Sequence, residues 1–295
     1  MPHDPTLTWF IADATAGLAA ALAEAVLDAG QRAVLAARDP DRLQALAARH
    51  PGRAAVVALD VTDGAGIDRA VRAAEQAFGR IDVLAASAFQ HYLGAVEEGD
   101  EAALRGLFEE NVFGPVNLAR RVLPAMRARR AGHVVLLARG TPAAPAGEGF
   151  GHAARSALEA LAEAMFHEVE RFGIGVTLVD PGAHEEGGWD VAAPARGMIP
   201  APIADYADLA HRHPAALRGV QPDRARAAQA ILRAVEAGRG PLRLVLGRAA
   251  LQRAYDRLRV LKVGFDAWAE LAASADPELP PPARGGPRGA GRARA

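Results

Sequence analysis

Short apolar runs alternate with amphipathic helical stretches along most of this chain, and the alternation limits the fold more than any other feature. The runs predicted as β-strands are 8–12, 32–38, 54–60, 81–88, 133–138, 174–180 and 241–247. Strands that are apolar throughout and separated by helices are typical of a parallel sheet covered on both faces. The sequence therefore predicts an α/β protein with a doubly wound, Rossmann-like parallel sheet, in which ligands bind beyond the carboxyl ends of the strands.

The same pattern predicts one domain over residues 1–248, with a C-terminal helix at 249–275 packed on it. Residues 185–225 lose the periodicity and are rich in Ala, Pro and His, which indicates a lid over a substrate pocket or a plain connecting loop. The tail, 276–295, is rich in Pro, Gly and Arg and has no apolar face, so we expect it to be disordered.

Composition excludes several classes of function. The 295 residues include no cysteine, which removes disulfides, thiolate nucleophiles and Cys-ligated metals, and we expect no metal site. A formal charge of −1 provides no electrostatic reason to expect nucleic acid or an anionic membrane as a partner. There is no signal-peptide pattern and no apolar run of about 18 residues. We therefore expect a cytoplasmic protein whose partner is a small molecule.

Several short stretches occur in an order and spacing that resemble the short-chain dehydrogenase/reductase family. They are 36–43 (AARDPDRL), 59–63 (LDVTD), 81–84 (IDVL), 110–127, 132–135, 156–161 and 179–182, and the likeness runs from about Thr8 to Gly182. The resemblance implies a nicotinamide dinucleotide site at the strand ends and a Tyr–Lys pair that moves the substrate proton.

The turn after the first strand departs from the family's pattern. The family has T-G-x-x-x-G-x-G, whereas this chain reads ADATAGLA from Ala12 to Ala19, so that only Gly17 remains. Asp13 would place a carboxylate near the pyrophosphate, and like charges about 4 Å apart repel by roughly 4 kcal/mol at an effective dielectric of about 20. A repulsion of this size would lower the affinity for the dinucleotide about a thousandfold. Alternatively, Asp13 caps the following helix and points away from any ligand.

A second obstruction follows the fourth strand, where the family has N-N-A-G and this chain has Ala86-Ser-Ala-Phe89. Phe89 would fill volume through which the cofactor passes. We therefore expect no cofactor and regard three residues as vestiges of cofactor binding: Gly17, Arg38 and Asp60. Arg38 is suited to a 2′-phosphate and Asp60 to adenine, but both also work as ordinary charges at helix starts.

The family's catalytic Ser, Tyr, Lys and Asn carry over to Ala138, Gly151, Arg155 and Asn111, so only the Asn is kept. Misalignment does not explain the loss, because no tyrosine of this chain is followed four residues later by lysine. Arginine stays protonated and can steer an anion but cannot shuttle a proton.

Other polar residues follow the predicted strands and could replace the missing groups. The candidate catalytic residues are His152, Tyr92, His184, Arg155, Asn111 and Glu186, with Gln90, His91, Arg139 and Glu185 on the same rim. Imidazole and carboxylate groups together can perform acid/base chemistry. The alternative is that each is an ordinary solvated loop residue.

Three hypotheses follow. The first is a cofactor-independent enzyme that performs dehydration, cyclisation, isomerisation or a lyase step on a small molecule of specialised metabolism. The second is a non-catalytic structural or regulatory relative, and the third is an atypical NADP-dependent reductase that uses Arg38. The resemblance also implies a homodimer or homotetramer, assembled through the helices at 101–130 and 152–172.

Overall fold

The computed structural model of the protein describes residues 6–87, 90, 92–138, 146–181, 203–207, 223–238 and 240–277. The chain divides into two compact units, residues 1–254 and 255–295. The first unit contains a seven-stranded sheet in the order β3-β2-β1-β4-β5-β6-β7, with every neighbouring pair parallel. Its strands are β1 (Thr8–Ala12), β2 (Arg32–Ala37), β3 (Ala54–Ala58), β4 (Val83–Ser87), β5 (Gly132–Leu137), β6 (Ile174–Asp180) and β7 (Arg243–Val245).

The helices between these strands cover both faces of the sheet. They are α1 (Gly17–Asp28), α2 (Gln44–Arg49), α3 (Gly64–Phe78), α4 (Glu101–Phe108), α5 (Gly114–Arg129), α6 (Gly149–Val169) and α7 (Arg224–Glu236). After β7 follow α8 (Arg248–Ala267) and α9 (Ala269–Ala273). Short 3₁₀ turns occur at Pro40–Leu43, Val96–Glu98, Glu170–Phe172 and Ala204–Tyr206. The doubly wound prediction is confirmed.

The core consists of two apolar layers, one on each side of the sheet. Successive residues of β1 point to opposite sides, so Phe10 packs in the layer with α3, α5 and α6, and Ile11 packs in the layer with α1 and α7. Both side chains are fully buried. This two-sided burial explains why the strands read as continuous apolar runs instead of alternating ones.

Three local features differ from the sequence prediction. The predicted helical pair at 101–130 is joined by a π-helical turn, Glu109–Phe113. The predicted last helix is interrupted at Trp268, whose φ of −120° and ψ of 13° separate α8 from α9. Helix α7 was not predicted, although its buried residues recur at helical spacing: Ala227, Ala228, Ile231, Leu232 and Val235.

The second unit contributes residues 255–277 to the described part of the chain, and its side chains are mostly exposed. Within the described residues, no helix combines the length and the apolar character that crossing a bilayer requires. The packing of the last helix on the first domain stays a prediction. The tail from 278 onward lies outside the described residues, as does most of the predicted lid segment at 185–225.

Candidate functional site

The turn after β1 keeps the backbone shape of a glycine turn although its first glycine is replaced. Asp13 has a φ of 53°, in the left-handed region, and Gly17 at the start of α1 has a φ of 63°. Among residues with a side chain, Asp and Asn tolerate this region best, because their short polar side chains can bond locally. The turn is held to β2 by the N–H of Ala14, which donates to the carbonyl of Ala36 at 3.2 Å.

The side chain of Asp13 does not cap α1. Its Oδ1 accepts a hydrogen bond from the Thr15 hydroxyl at 3.2 Å, and the N-cap residue is Ala16, which supplies no side-chain acceptor. Burial raises the pKa of Asp13, and the nearby Glu110 adds to this, while the Thr15 bond acts in the opposite direction. Burial thus disfavours the charged form of this carboxyl.

Arg38 follows β2 and is held by two carboxylates. Its Nη2 lies 2.9 Å from Oε2 of Glu110, and its Nε lies 3.4 Å from Oδ2 of Asp60. The hydrogen bond to Glu110 is the largest cause that raises the pKa of Arg38, so the guanidinium stays charged. The Asp60 carboxylate also accepts from the hydroxyl of Thr62 at 2.7 Å, which is the main cause that lowers the pKa of Asp60. The two carboxylates thus fix the position of the Arg38 guanidinium, while about half of its side chain stays exposed.

These residues border a cavity of about 250 Å³ at the carboxyl ends of β1, β2 and β4. This is where the strand order reverses, the usual ligand position in a doubly wound sheet. The cavity is lined by Asp13, Thr15, Ala37, Arg38, Asp39, Arg42, Leu59, Val61, Ser87 and Glu110. The Ser87 hydroxyl is buried there and has no hydrogen-bond partner among the described residues. An unsatisfied buried donor beside a cavity is a ready partner for a ligand.

The positions that correspond to the family's Ser and Tyr are small. Ala138 follows β5 and is buried, and its N–H donates to the carbonyl of Val179 at 2.9 Å. Gly151 lies in the first turn of α6, and a Cβ placed on it would meet no atom of the described structure within 4 Å. No described residue therefore fills the space in which the family's tyrosine side chain would begin.

Arg155, at the lysine position, is engaged in a buried ion pair. Its Nη2 donates to Oδ2 of Asp180 at 2.7 Å and to Oε1 of Glu159 at 2.9 Å. Although burial lowers the pKa of Arg155, the two carboxylates raise it by more, and the group stays charged. The guanidinium thus joins α6 to the end of β6.

Asn111 lies in the π-helical turn and holds the loop that follows β4. Its Oδ1 accepts from the N–H of Gln90 at 2.8 Å, and its Nδ2 donates to the carbonyl of Gln90 at 2.7 Å. Single π-helical turns inside α-helices are frequent at functional sites. The side chain therefore positions the backbone beside the candidate site.

Tyr92 occupies a buried structural position. Its hydroxyl donates to the carbonyl of Glu98 at 2.8 Å and accepts from the N–H of Asp100 at 3.0 Å. The ring packs edge-on against Phe150, with the ring centroids 5.9 Å apart. Because both hydrogen-bonding directions of the phenol are taken by the backbone, this geometry does not support the catalytic role that the sequence predicted for Tyr92.

The remaining candidates divide between the described and undescribed parts of the chain. His152 follows Gly151 in the first turn of α6 and is half-buried. Its backbone N–H donates to the carbonyl of Glu148 at 2.9 Å. The others, His91, Arg139, His184, Glu185 and Glu186, lie outside the described residues, as does Phe89. Their proposed roles stay predictions. Among the described residues, no group of three His, Asp or Glu is placed to hold a metal ion.

One described piece of the predicted lid segment is tied to the loop before α4. The N–H of Ile203 donates to Oε1 of Glu98 at 2.8 Å, and the hydroxyl of Tyr206 donates to Oε2 of Glu97 at 2.8 Å. The second carboxylate oxygen of Glu98 accepts from the N–H of Ala95 at 2.9 Å. The buried Glu98 side chain thus links residues 203–207 to the same loop that Tyr92 holds.

Sequence reasoning assigned no role to five polar residues that line the cavity: Thr15, Asp39, Arg42, Ser87 and Glu110. Glu110 directly precedes Asn111, and only the tertiary fold brings it to Arg38. Arg42 was visible in the matching stretch 36–43 but was not assigned a role.

The family assignment follows from a comparison with protein families, in which the model described as short chain dehydrogenase matches residues 8–189. The chain belongs to the short-chain dehydrogenase family. A crystal structure of a short-chain dehydrogenase from Streptomyces avermitilis is 33% identical, covers 93% of this chain and 100% of that one, and superposes with a TM-score of 0.83.

Two relatives of the chain studied here are named as oxidoreductases or reductases. Oxidoreductase BOA17 of Botryotinia fuckeliana is 29% identical, over 90% of this chain and 98% of its own length. Dehydrogenase/reductase SDR family member 7B of Bos taurus is 34% identical, but over only 58% of this chain and 56% of its own length.

These names correct the main functional hypothesis. The expectation of a cofactor-independent lyase, isomerase or cyclase that has lost nicotinamide redox chemistry is wrong, because the relatives are named as oxidoreductases and reductases. The sequence argument treated the replaced glycine at Asp13 as the loss of the site, whereas Asp13 keeps a left-handed backbone, with a φ of 53°, and the turn still borders a cavity at the strand ends.

Proposed function

We propose that the protein is an NADP-dependent oxidoreductase of the short-chain dehydrogenase family that uses groups other than Ser, Tyr and Lys for proton transfer. The observation that carries the proposal is the half-exposed, charged Arg38 beside the cavity at the ends of β1, β2 and β4. The substrate would be a small carbonyl compound or the matching alcohol. The redox names of the relatives support the same class of reaction.

The cavity suits the adenosine end of a dinucleotide. Its volume of about 250 Å³ is below the roughly 300–1,000 Å³ typical of pockets that enclose a whole ligand. Arg38 and Arg42 supply positive charge for a 2′-phosphate, and the buried Ser87 hydroxyl can bond a ribose oxygen. Helix α1 begins beside the cavity without a side-chain cap, and helix N-termini attract phosphate groups.

The carboxylates of Asp13 and Glu110 would repel an anion bound at this site. In each case a neighbouring group or the surroundings of the carboxylate reduce that repulsion. Glu110 is compensated by the guanidinium of Arg38 at 2.9 Å. Burial raises the pKa of Asp13, so protonation removes its charge more readily than that of an ordinary aspartate. Phosphate binding would add to this shift, because an anion nearby favours the neutral acid.

When bound, the cofactor would supply or accept the hydride. The protein must then deliver a proton, and the phenol and amine that do so in the family are replaced by Gly151 and Arg155. We assign the proton transfer to His152, which follows Gly151 in the first turn of α6. Imidazole exchanges protons near neutral pH, while arginine remains charged. Arg155 would hold α6 in register with β6 through Asp180.

A binding experiment tests the cofactor. Titration of NADPH and NADH, followed by nicotinamide fluorescence, should show tighter binding of NADPH. Arg38→Ala should weaken NADPH binding roughly 10- to 100-fold, the loss of one charge-assisted hydrogen bond, and change NADH binding little. Arg49→Ala is the matched control, since this exposed arginine pairs with Glu24 on the helical surface. The proposal fails if neither dinucleotide binds at millimolar concentration.

A second experiment tests the proton donor. A panel of small ketones and aldehydes would be offered with NADPH, and oxidation of the cofactor followed by absorbance. His152→Ala should lower kcat roughly 10²-fold or more with NADPH affinity unchanged, as expected for loss of a general acid. The exposed His167 lies on the same helix, so His167→Ala serves as the control. An unchanged kcat in His152→Ala would remove this assignment but not the cofactor proposal.

A further inference from the structure

Glu110 is the most buried of three charged side chains that meet beside the cavity at the ends of β1, β2 and β4. Its side chain is 17% exposed, compared with 54% for Arg38 and 44% for Asp60. The contact of Arg38 with Glu110 is also the shorter one, 2.9 Å against 3.4 Å for the contact with Asp60. Because solvent screens a buried charge less than an exposed one, Glu110 is the stronger partner of Arg38.

A close approach of two segments brings Glu110 to this place. Glu110 lies in the π-helical turn, and Gly114 directly follows that turn. A Cβ on Gly114 would lie 2.7 Å from Cγ2 of Val61, a residue that lines the cavity after β3. Glycine at 114 therefore lets the π-helical turn pack against the chain beyond β3, and this packing places the Glu110 carboxylate within reach of Arg38.

The two carboxylates occupy one edge of the Arg38 guanidinium. Nε and Nη2 point to the same side of this planar group and form a fork that binds a carboxylate or a phosphate through two parallel hydrogen bonds. In this structure Nε lies beside Asp60 and Nη2 lies beside Glu110. A 2′-phosphate that bound the same fork would therefore have to displace Glu110 from Nη2.

The net charge of this cluster also disfavours a phosphate. One guanidinium and two carboxylates, those of Arg38, Asp60 and Glu110, together carry one negative charge. Without the charge of Glu110 the cluster would be neutral, and the guanidinium would face a phosphate with only the more distant carboxylate beside it. The attraction between opposite charges falls when a third charge compensates one of them at close range.

We propose that Glu110 limits the preference of this protein for NADPH over NADH by holding the arginine that a 2′-phosphate would bind. In the free protein the carboxylate occupies Nη2 of Arg38, and a bound 2′-phosphate takes its place. A dinucleotide with a free 2′-hydroxyl carries no anion that competes with Glu110, so its affinity depends little on this carboxylate. The inference rests on the proposed function and adds a second specificity-determining residue to Arg38.

The test compares two ligands that differ only in the 2′-phosphate, adenosine 2′,5′-bisphosphate and adenosine 5′-monophosphate. Both are titrated into the full chain by calorimetry, and NADPH and NADH form a second pair with the same difference. Glu110→Gln keeps the size of the side chain and removes its charge. The bisphosphate should then gain about tenfold in affinity, while the monophosphate changes less than about threefold. A purely structural role of Glu110 would alter both affinities in parallel.

Glu109→Gln is the matched control. Glu109 precedes Glu110 in the same π-helical turn and is exposed, and its variant makes the same change in charge. The ratio of the two affinities should therefore stay at the wild-type value. Thermal unfolding verifies that each variant is folded.

A second comparison uses the Arg38→Ala background, in which Glu110 has no guanidinium to hold. There Glu110→Gln should change the ratio of affinities by less than about threefold, because the effect on the bisphosphate passes through Arg38. The two backgrounds together form a double-mutant cycle, which measures the coupling between Arg38 and Glu110.

Three results would overturn the inference. One is a ratio that Glu110→Gln leaves unchanged although the wild type binds NADPH, and this result would leave the proposed function intact. Another is a gain that persists at full size in Arg38→Ala, which would assign the effect to direct repulsion of the phosphate. The third is weaker binding of the bisphosphate to Glu110→Gln, which would show that Glu110 presents Arg38 to the phosphate. A wild type that bound neither the adenosine ligands nor NADPH would refute the proposed function, and the inference with it.

Discussion

The guanidinium of Arg155 lies 2.7 Å from the carboxylate of Asp180, and the two side chains are 5% and 6% exposed. A buried pair of this kind joins the helix that carries the candidate proton donor to the last residue of β6. A charge left in the interior without its counter-ion is far more costly than a pair. The contact therefore has a larger structural role than the exposed ion pairs of the same protein.

Replacement of Arg155 by leucine should consequently destabilise the fold by about 3–5 kcal/mol, because Asp180 would lose its guanidinium. Chemical denaturation at neutral pH measures the change. Arg243→Leu is the control: this arginine is half exposed, lies 3.4 Å from Glu159, and should cost at most about 1 kcal/mol. Equal losses in the two variants would show that the Arg155–Asp180 contact is not the stabilising element.

His133 predicts a pH dependence of stability. It is buried on β5, bonds the hydroxyl of Thr177 at 2.9 Å, and burial lowers its pKa from 6.5 to about 4. Between these values the unfolded chain binds a proton that the folded chain does not. The free energy of unfolding should therefore fall as the pH drops from about 6.5 to about 4, by roughly 3 kcal/mol in all.

Denaturation midpoints measured across this pH range check the prediction. The variant His133→Gln should lack most of the decline below pH 6.5. His167→Gln, at an exposed position of α6, should keep it. A decline that is the same in all three proteins would assign it to groups other than His133.

Asp13 predicts a pH dependence of cofactor affinity. Glycine accepts the φ of 53° found at this residue, so Asp13→Gly removes the carboxylate without straining the turn. NADPH should bind at least about tenfold more tightly to this variant at pH 8, since a charge close to the pyrophosphate is lost.

The gain should shrink as the pH falls, because the raised pKa of Asp13 lets the wild-type carboxyl become neutral at higher pH than usual. The variant Asp13→Asn distinguishes the effect of the charge from the effect of the backbone conformation. It removes the charge but keeps a side chain that tolerates the left-handed region. It should behave like the glycine variant in fluorescence titrations. If Asp13→Asn instead matched the wild type, the charge would not be the determinant.

Tyr92→Phe tests whether the phenol is structural. The variant leaves the carbonyl of Glu98 and the N–H of Asp100 without their partner, at a cost of about 1–3 kcal/mol in unfolding free energy. The turnover number with NADPH should be unchanged below the new melting temperature. A loss in kcat of roughly 10²-fold with full stability would restore Tyr92 as a catalytic acid.

The order of strands and helices could be predicted from the sequence because strands buried on both faces leave unmistakable apolar runs. Phe10 and Ile11 are neighbours in one such run and pack on opposite sides of the sheet. The break at Trp268 and the π-helical turn around Asn111 were not predicted, since neither Pro nor Gly occurs within either feature to mark it.

The site was predicted less well, and Asp13, Glu110 and Tyr92 show why. The ionisation of Asp13 depends on burial, and Glu110 reaches Arg38 only through the tertiary fold. Tyr92 follows β4, as a rim residue should, but its hydroxyl bonds the backbone of the next loop. Position in a sequence indicates which edge of a sheet a residue occupies, and it does not indicate which partner its side chain finds.

The surroundings of Gly151 leave room for a side chain of a different kind. Because a Cβ at this residue would meet no atom of the described part of the chain within 4 Å, a phenol, an imidazole or a carboxyl group can start there without displacing a described core residue. The chemistry of position 151 is thus separable from the packing of the described core.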